Sequence, residues 1–369
     1  MRNPCRTTGA GPLRIPSALL GGGLVLGGLL LLAGGCAVSY PQDQKKALEE
    51  VAAHLEKGDF QAALEEALWA KERFPDSTRA LSVWALAAKT LALSQDPPDF
   101  DLLDQAEREC LRAGRAHPRD PAPWFTLGVV RRDRGDLGGA VQAWEEALKA
   151  EPFHLPTLEA LGDLQFSLGH ERAAAVLYDR LLRLPPGSMK KEERALFSYR
   201  LGVCLLAEAE LSPKPEPLDY DPAKKNFLQA LSLDPGRVDA SRAMAWLVVR
   251  ISKLKGRWKE PDLRKEDAHK ALAYLRKALA RHPLSPGCCH DLGWLLEVLG
   301  DSRAAEEEYR KALSLDPEFV PALVDLAALV EKRGKEGRAE ARKLRKKALD
   351  LTGDFALARG LKKALGGSK

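Results

Sequence analysis

The chain has 369 residues, of which 30% are charged and only 6% aromatic, and its formal net charge is +5. Alanine and leucine dominate, which excludes a strand-rich fold built on alternating β-branched and aromatic residues and suits helices packed on helices. Charge is uneven: residues 1–35 hold Arg2, Arg6 and Arg14 with no acid, residues 331–369 hold 13 Lys or Arg against 5 Asp or Glu, and residues 36–330 are left near −6.

The N-terminus reads as an address. After the three arginines comes an uncharged, mostly apolar stretch from Ile15 to Gly35, ending in small residues before Cys36. A basic start, an apolar middle and a small-residue end are the marks of a secretory signal. Leu32-Ala33-Gly34-Gly35-Cys36 resembles the lipobox of bacterial lipoproteins, departing from it at Ala33, where leucine is preferred. The resemblance implies that residues 1–35 are a signal peptide and that Cys36 is lipidated and becomes the first mature residue. Ala37 in second place, rather than Asp, implies the outer membrane, with the chain facing the periplasm. The alternative is an uncleaved anchor, since 21 such residues can cross a bilayer, although their glycines weaken a helix. The first helical pattern begins near Asp43. Residues 36–43 therefore form a short lipidated tether, whose roughly six free residues reach about 20 Å.

From there a 34-residue period runs through the chain. Pro118, Pro152 and Pro186 keep that step, as do Pro283 and Pro317, and so do Gly128 and Gly162. Repeats of this length are supersecondary units that bury their apolar faces only by stacking. In Pro121–Pro152, Trp124, Leu127, Gly128 and Arg131 share one helical face; Gly135-Asp136 breaks that helix; Ala140, Trp144 and Ala147 mark a second helix, which ends by Pro152. Leu158, Leu161, Gly162, Gly169, Ala174, Tyr178 and Pro186 repeat the pattern, and so do Leu292, Gly293, Gly300-Asp301, Ala305, Tyr309, Ala312 and Pro317. This order of residues resembles the tetratricopeptide repeat.

Looser units fill the gaps. The first carries Gly58-Asp59, Ala63, Ala70 and Pro75; the second Trp84, Ala85, Ala106 and Pro118; the fifth Leu201, Gly202, Phe227 and Pro235; the sixth Met244, Ala245, Leu275 and Pro283; the eighth Leu323, Leu326, Ala327, Ala341 and Ala348. The second, fifth and sixth are lengthened, by a loop at residues 94–101, a helix extension at 189–194, a loop at 210–219 and a loop at 254–267. Insertions in stacked repeats map to one edge and carry either specificity or neutral drift. The resemblance implies an all-α solenoid of about eight helix pairs over residues 44–353, wound as a right-handed superhelix. Residues 354–369 then form a capping helix and basic tail.

Signatures of chemistry are missing. The chain has no HExxH, GxSxG or GxxxxGK[ST], so no catalytic residue, metal or small-molecule cofactor is expected. Cys110 and Cys204 fall on repeats too far apart for a disulfide. Cys288-Cys289-His290 lacks the second spaced pair that a tetrahedral metal site needs. The basic end can meet nucleic acid, anionic lipid or acidic protein, or simply be solvated; an exported chain without a basic stripe interleaved with aromatics excludes nucleic acid.

The resemblance further implies that the first helix of each pair lines a concave groove that takes a protein or an extended peptide. Mapped by phase from Leu-Gly, the groove positions are Phe125, Arg132, Glu159, Phe166, Tyr199, Arg242, Trp246, Arg250, His290 and Trp294. Aromatics and arginine are the types enriched at interface hot spots; Trp246, Arg250 and Trp294 are expected on one patch. The expected function is a non-catalytic interaction scaffold, lipid-anchored in the bacterial envelope. Chains resembling it in layout include pilotin lipoproteins and polysaccharide-export scaffolds. A glycan-binding accessory protein, or an enzyme completed by the insertions, remains the alternative.

Overall fold

The computed structural model describes residues 42–253, 262–353 and 355–366. The expected signal stretch, Cys36, most of the expected tether and residues 254–261 lie outside the described residues. Seventeen α-helices and no strand occur among the described residues, in two compact units divided in sequence between Leu184 and Pro185. Each unit is four helix pairs of an α-solenoid.

In the first unit the pairs are α1 (Gln42–Lys57) with α2 (Phe60–Arg73), α3 (Thr78–Ser94) with α4 (Phe100–Ala116), α5 (Pro121–Arg134) with α6 (Leu137–Ala150), and α7 (Leu155–Ser167) with α8 (Glu171–Leu182). In the second they are α9 (Lys191–Glu210) with α10 (Asp221–Leu233), α11 (Val238–Lys253) with α12 (Asp262–Arg281), α13 (Pro286–Leu299) with α14 (Ser302–Leu315), and α15 (Val320–Glu331) with α16 (Lys335–Leu351), followed by α17 (Phe355–Gly366). Each helix of a pair packs on its mate. In the first unit α1, α3 and α5 also pack side by side, and in the second α9, α11 and α13 do the same. These first helices thus form a layer of their own in each unit.

Short signals set the helix ends. Gly135 sits at φ +96°, a left-handed conformation that costs other residues a steric clash. Its N–H and that of Asp136 bond back to the carbonyls of Arg132 and Arg131, closing α5. Asp136 then caps α6 by accepting from the Gly139 N–H at 2.9 Å. Gly58-Asp59 and Gly300-Asp301 repeat the device. At the other end, Glu151 and Asp316 are extended by the prolines that follow them, which disfavour helix.

Within a pair, a glycine on the first helix receives an aromatic ring from the second. A Cβ on Gly128 would lie 2.2 Å from Trp144 Nε1, on Gly202 2.6 Å from Phe227, and on Gly293 2.5 Å from Tyr309. Trp144, Phe227 and Tyr309 are fully buried. The polar tips of two of them are satisfied: Trp144 Nε1–H donates to the Phe125 carbonyl at 3.0 Å and the Tyr309 hydroxyl to Glu297 at 2.9 Å.

The insertions fold in different ways. The second pair absorbs its extra residues by lengthening both helices to 17 residues, leaving a turn at residues 95–99. After α9, Pro217–Tyr220 form a short 3₁₀ turn that buries Tyr220. Of the loop expected over residues 254–267, the part from Asp262 on is helical, because α12 begins there. Its Asp267 is held by Lys224 of α10, and the buried stripe starts at Ala268, so the first turn of α12 is helical although its composition is charged.

Candidate partner-binding surface

Trp246 on α11 and Trp294 on α13 are each half-buried and pack against one apolar cluster that includes Met244, Leu247, Leu292 and Leu295. Trp294 also stacks on His290, with ring centroids 4.8 Å apart. The two tryptophans thus lie on neighbouring helices of the inner layer and share an underlying core.

The cations beside them are already engaged. Arg250 makes a fork onto Glu210 of α9, Nε to Oε1 at 2.7 Å and a terminal nitrogen to Oε2 at 2.9 Å, and the Tyr220 hydroxyl donates to the same carboxylate. Arg242 pairs with Asp291 of α13. His290 lies between two carboxylates, Nδ1 at 3.1 Å from Asp291 and Nε2 at 2.8 Å from Asp325 of α15. Burial alone would lower its pKa, but the hydrogen bonds to Asp291 and Asp325 and their charges outweigh it and raise the value to about 9. The imidazolium therefore donates from both nitrogens at neutral pH. Arg242 and His290 occupy equivalent places, two residues before Met244-Ala245 and Leu292-Gly293, and each reaches the aspartate of the next pair.

The first unit uses the same solution. Lys89 on α3 is 3% exposed and bonds Asp133 of α5 at 2.8 Å, and burial holds its pKa below the usual lysine range. Arg132 is turned onto that same Asp133 at 2.6 Å.

The family profile described as tetratricopeptide repeat matches residues 125–189 and, separately, 286–319. The chain carries tetratricopeptide repeats. Over 174 residues it is 26% identical to the Protein CTR9 homolog of Arabidopsis thaliana, a stretch that is 47% of this chain and 15% of that protein. Among solved structures it is similar to the C-terminal part of a TPR repeat-containing protein from Cytophaga hutchinsonii, at 15% identity over 74% of this chain and 97% of that one, with a TM-score of 0.50. It is also similar to a chain of the APC/C hetero-tetramer Cut9–Hcn1, at 13% identity over 87% of this chain and 55% of that one, with a TM-score of 0.47. The chain thus spans about half of the latter's length and a small part of the curated relative; these likenesses concern the fold.

Against the repeat frame, the expected groove residues divide. Phe125, Tyr199 and His290 are 1%, 2% and 3% exposed, so they do not face a groove. They share a position two residues before Leu-Gly: Phe125 meets the His154 ring of the next repeat at 5.8 Å and His290 meets Phe319 of the next, whereas Tyr199 meets Phe227 of its own pair. Arg242 and Arg250, expected in the groove, are satisfied within the repeats. Arg132, Glu159, Phe166, Trp246 and Trp294 stay half-exposed, with Phe166 lying against Tyr178. Sequence phase missed Glu210, Asp291, Asp325 and Asp133, because acids on helices read as solvated faces. The recurrence of Asp one residue before Leu292 and Leu326 was the available signal.

Cys288 and Cys289 are both buried but face different neighbours. Cys288 joins the cluster beneath Trp246 and Trp294, while Cys289 packs with Ala312 and Ala322. Among the described residues no helix is long and apolar enough to cross a membrane.

Proposed function

We propose that this chain is a non-catalytic interaction scaffold of the bacterial envelope, held at a membrane by lipid on Cys36, whose inner helix layer takes a protein or extended peptide. The observation that carries the reading is the pairing of half-buried Trp246 and Trp294 on adjacent first helices, with the neighbouring cations already neutralised. Recognition then rests on aromatic area and backbone hydrogen bonds rather than on a charged clamp. Rigid aromatic rings bury contact area at low entropy cost. The lipobox-like Leu32–Cys36 supports the membrane attachment.

The test is capture from detergent-solubilised membranes with identification by mass spectrometry. Truncating a true hot spot costs about 2 kcal/mol or more, roughly thirtyfold in affinity. Trp246→Ala with Trp294→Ala should therefore lose the main partner while helicity is kept. Full capture by that variant would place docking elsewhere. Cys36→Ser should abolish palmitate labelling, and unchanged labelling would end the lipid reading.

A further inference from the structure

The α16 helix carries a charge pattern that the fold does not use. Its inner side is Gly337, Ala341 and Ala348, all buried. Its outer side presents Lys335, Arg338, Arg342, Lys343, Lys346 and Lys347, all exposed. Arg338, Arg342 and Lys346 follow one another at four-residue steps, about 6 Å apart along the axis, and Lys343 and Lys347 make a second row. None of the six makes a side-chain hydrogen bond or ion pair among the described residues. Of the nearby acids, Glu340 holds Arg310 and Glu331 holds Arg345 in a fork, while exposed Glu336 and Asp350 share the outer face and leave it with six cations against two acids.

Like charges four residues apart on a helix are mutually destabilising. Other helices of this chain set opposite charges at that spacing, as in Lys45–Glu49, Lys46–Glu50, Arg183–Asp179, Lys270–Glu266 and Arg303–Glu307. The helix dipole does not account for the rows, since the last turn of α16 contains no base. Solubility of an outward face is served by charges of either sign. The excess of positive charge, repeated in rows, makes this face complementary to an anionic surface.

We propose that the outer face of α16 docks on an anionic lipid surface. The rows lie on one convex helix and contain no aromatic anchor, whereas protein interfaces are built around buried aromatic cores, and single-strand nucleic-acid sites interleave stacking rings with their cations. A charged bilayer requires neither. It attracts basic side chains that come within a Debye length of its surface. This inference rests on the reading that the chain works at a membrane, and it adds how the second unit lies against that membrane.

The experiment uses the full chain reconstituted in vesicles of phosphatidylcholine alone or of phosphatidylcholine mixed with phosphatidylglycerol. Flotation is measured together with amine labelling read residue by residue. Each engaged cation is worth roughly fivefold in surface occupancy. Labelling of Lys343, Lys346 and Lys347 should slow by at least that factor on the mixed vesicles only and recover at raised salt, with Lys149 of α6 unchanged as the internal control. Lys335→Gln with Arg338→Gln and Arg342→Gln keeps the reporters and should lower occupancy by about a hundredfold, restoring their labelling while helicity stays. Flotation on both vesicles with no lipid-specific protection overturns the docking and leaves membrane attachment standing. Failure to float on either overturns both. Protection by an oligonucleotide or polyglutamate, with none on vesicles, overturns the lipid assignment in favour of a soluble polyanion.

Discussion

Alanine in place of the glycine that receives an aromatic ring gives four substitutions of identical chemistry in different surroundings. In each case the helix gains about 1 kcal/mol of intrinsic propensity. Against this stands the new methyl. At Gly128 its Cβ falls 2.2 Å from Trp144 Nε1 and 2.4 Å from Cδ1, inside a fully buried ring that is fixed by its bond to the Phe125 carbonyl. Gly202 and Gly293 face rings at 2.6 and 2.5 Å and, beyond them, the carbonyls of Ala223 and Ala305 at 3.3 and 3.1 Å. Gly162 meets Tyr178 at 3.0 Å, which a shift of a few tenths of an ångström relieves. Overpacking costs about 1–3 kcal/mol. The net expectation is a loss of up to about 2 kcal/mol for Gly128→Ala, Gly202→Ala and Gly293→Ala, and near-neutrality for Gly162→Ala. Urea unfolding followed by ellipticity gives the ranking, with amide exchange in the affected pair as a local measure, because stacked repeats unfold in parts. Trp144→Phe shrinks the ring, so its combination with Gly128→Ala should cost less than the two single changes summed. A Gly128→Ala protein as stable as the Gly162→Ala protein would refute the interlocking account.

Three further expectations concern buried groups. His290 faces Asp291 on its own helix, Asp325 on α15 and the Tyr309 ring on α14, with Arg242 of α11 behind Asp291. Because its folded pKa is raised from 6.5 to about 9, its contribution is complete below about pH 6.5 and fades as pH climbs through 9. The stability gap between wild type and His290→Gln should close over that range, and a gap independent of pH would contradict the doubly paired imidazolium. Asp133→Ala strands buried Lys89 and should destabilise by about 3 kcal/mol, whereas Lys89→Met should be close to neutral; equal losses in thermal unfolding would argue against a buried charge. Burial pushes the Cys110 thiol up to about 12, so peptide mapping after alkylation at pH 8 should find it modified only once the chain is unfolded.

The fold was legible because its instructions are local and recur. Gly135-Asp136, Trp144 and Pro152 each act within one pair, through a left-handed turn, a buried ring and an extended residue before the proline, and the pattern recurs in full in three units while the lengthened units keep only parts of it. The binding surface was less legible. Phase alone could not distinguish Phe125, drawn into a seam between repeats, from Trp246, left half-open, because both follow the helical period. Pairs such as Arg250 with Glu210, 40 residues apart, depend on how the insertion after α9 folds back over Tyr220. Residues 262–267 were misplaced for a related reason: a run of charges outweighed an apolar stripe that begins only at Ala268.

The bonds from Arg242 to Asp291 and from His290 to Asp325 share a direction, each running from one repeat to its successor. Such links give the three repeats a grammar. Inserting a foreign repeat between the sixth and seventh would leave Arg242 without Asp291, and exchanging the seventh for the third would offer Asp325 the phenyl ring of Phe125 instead of an imidazolium. Repeats six to eight therefore form a phrase that can be transplanted whole but not shuffled. Any recombination that respects only the 34-residue period would break it at these two words.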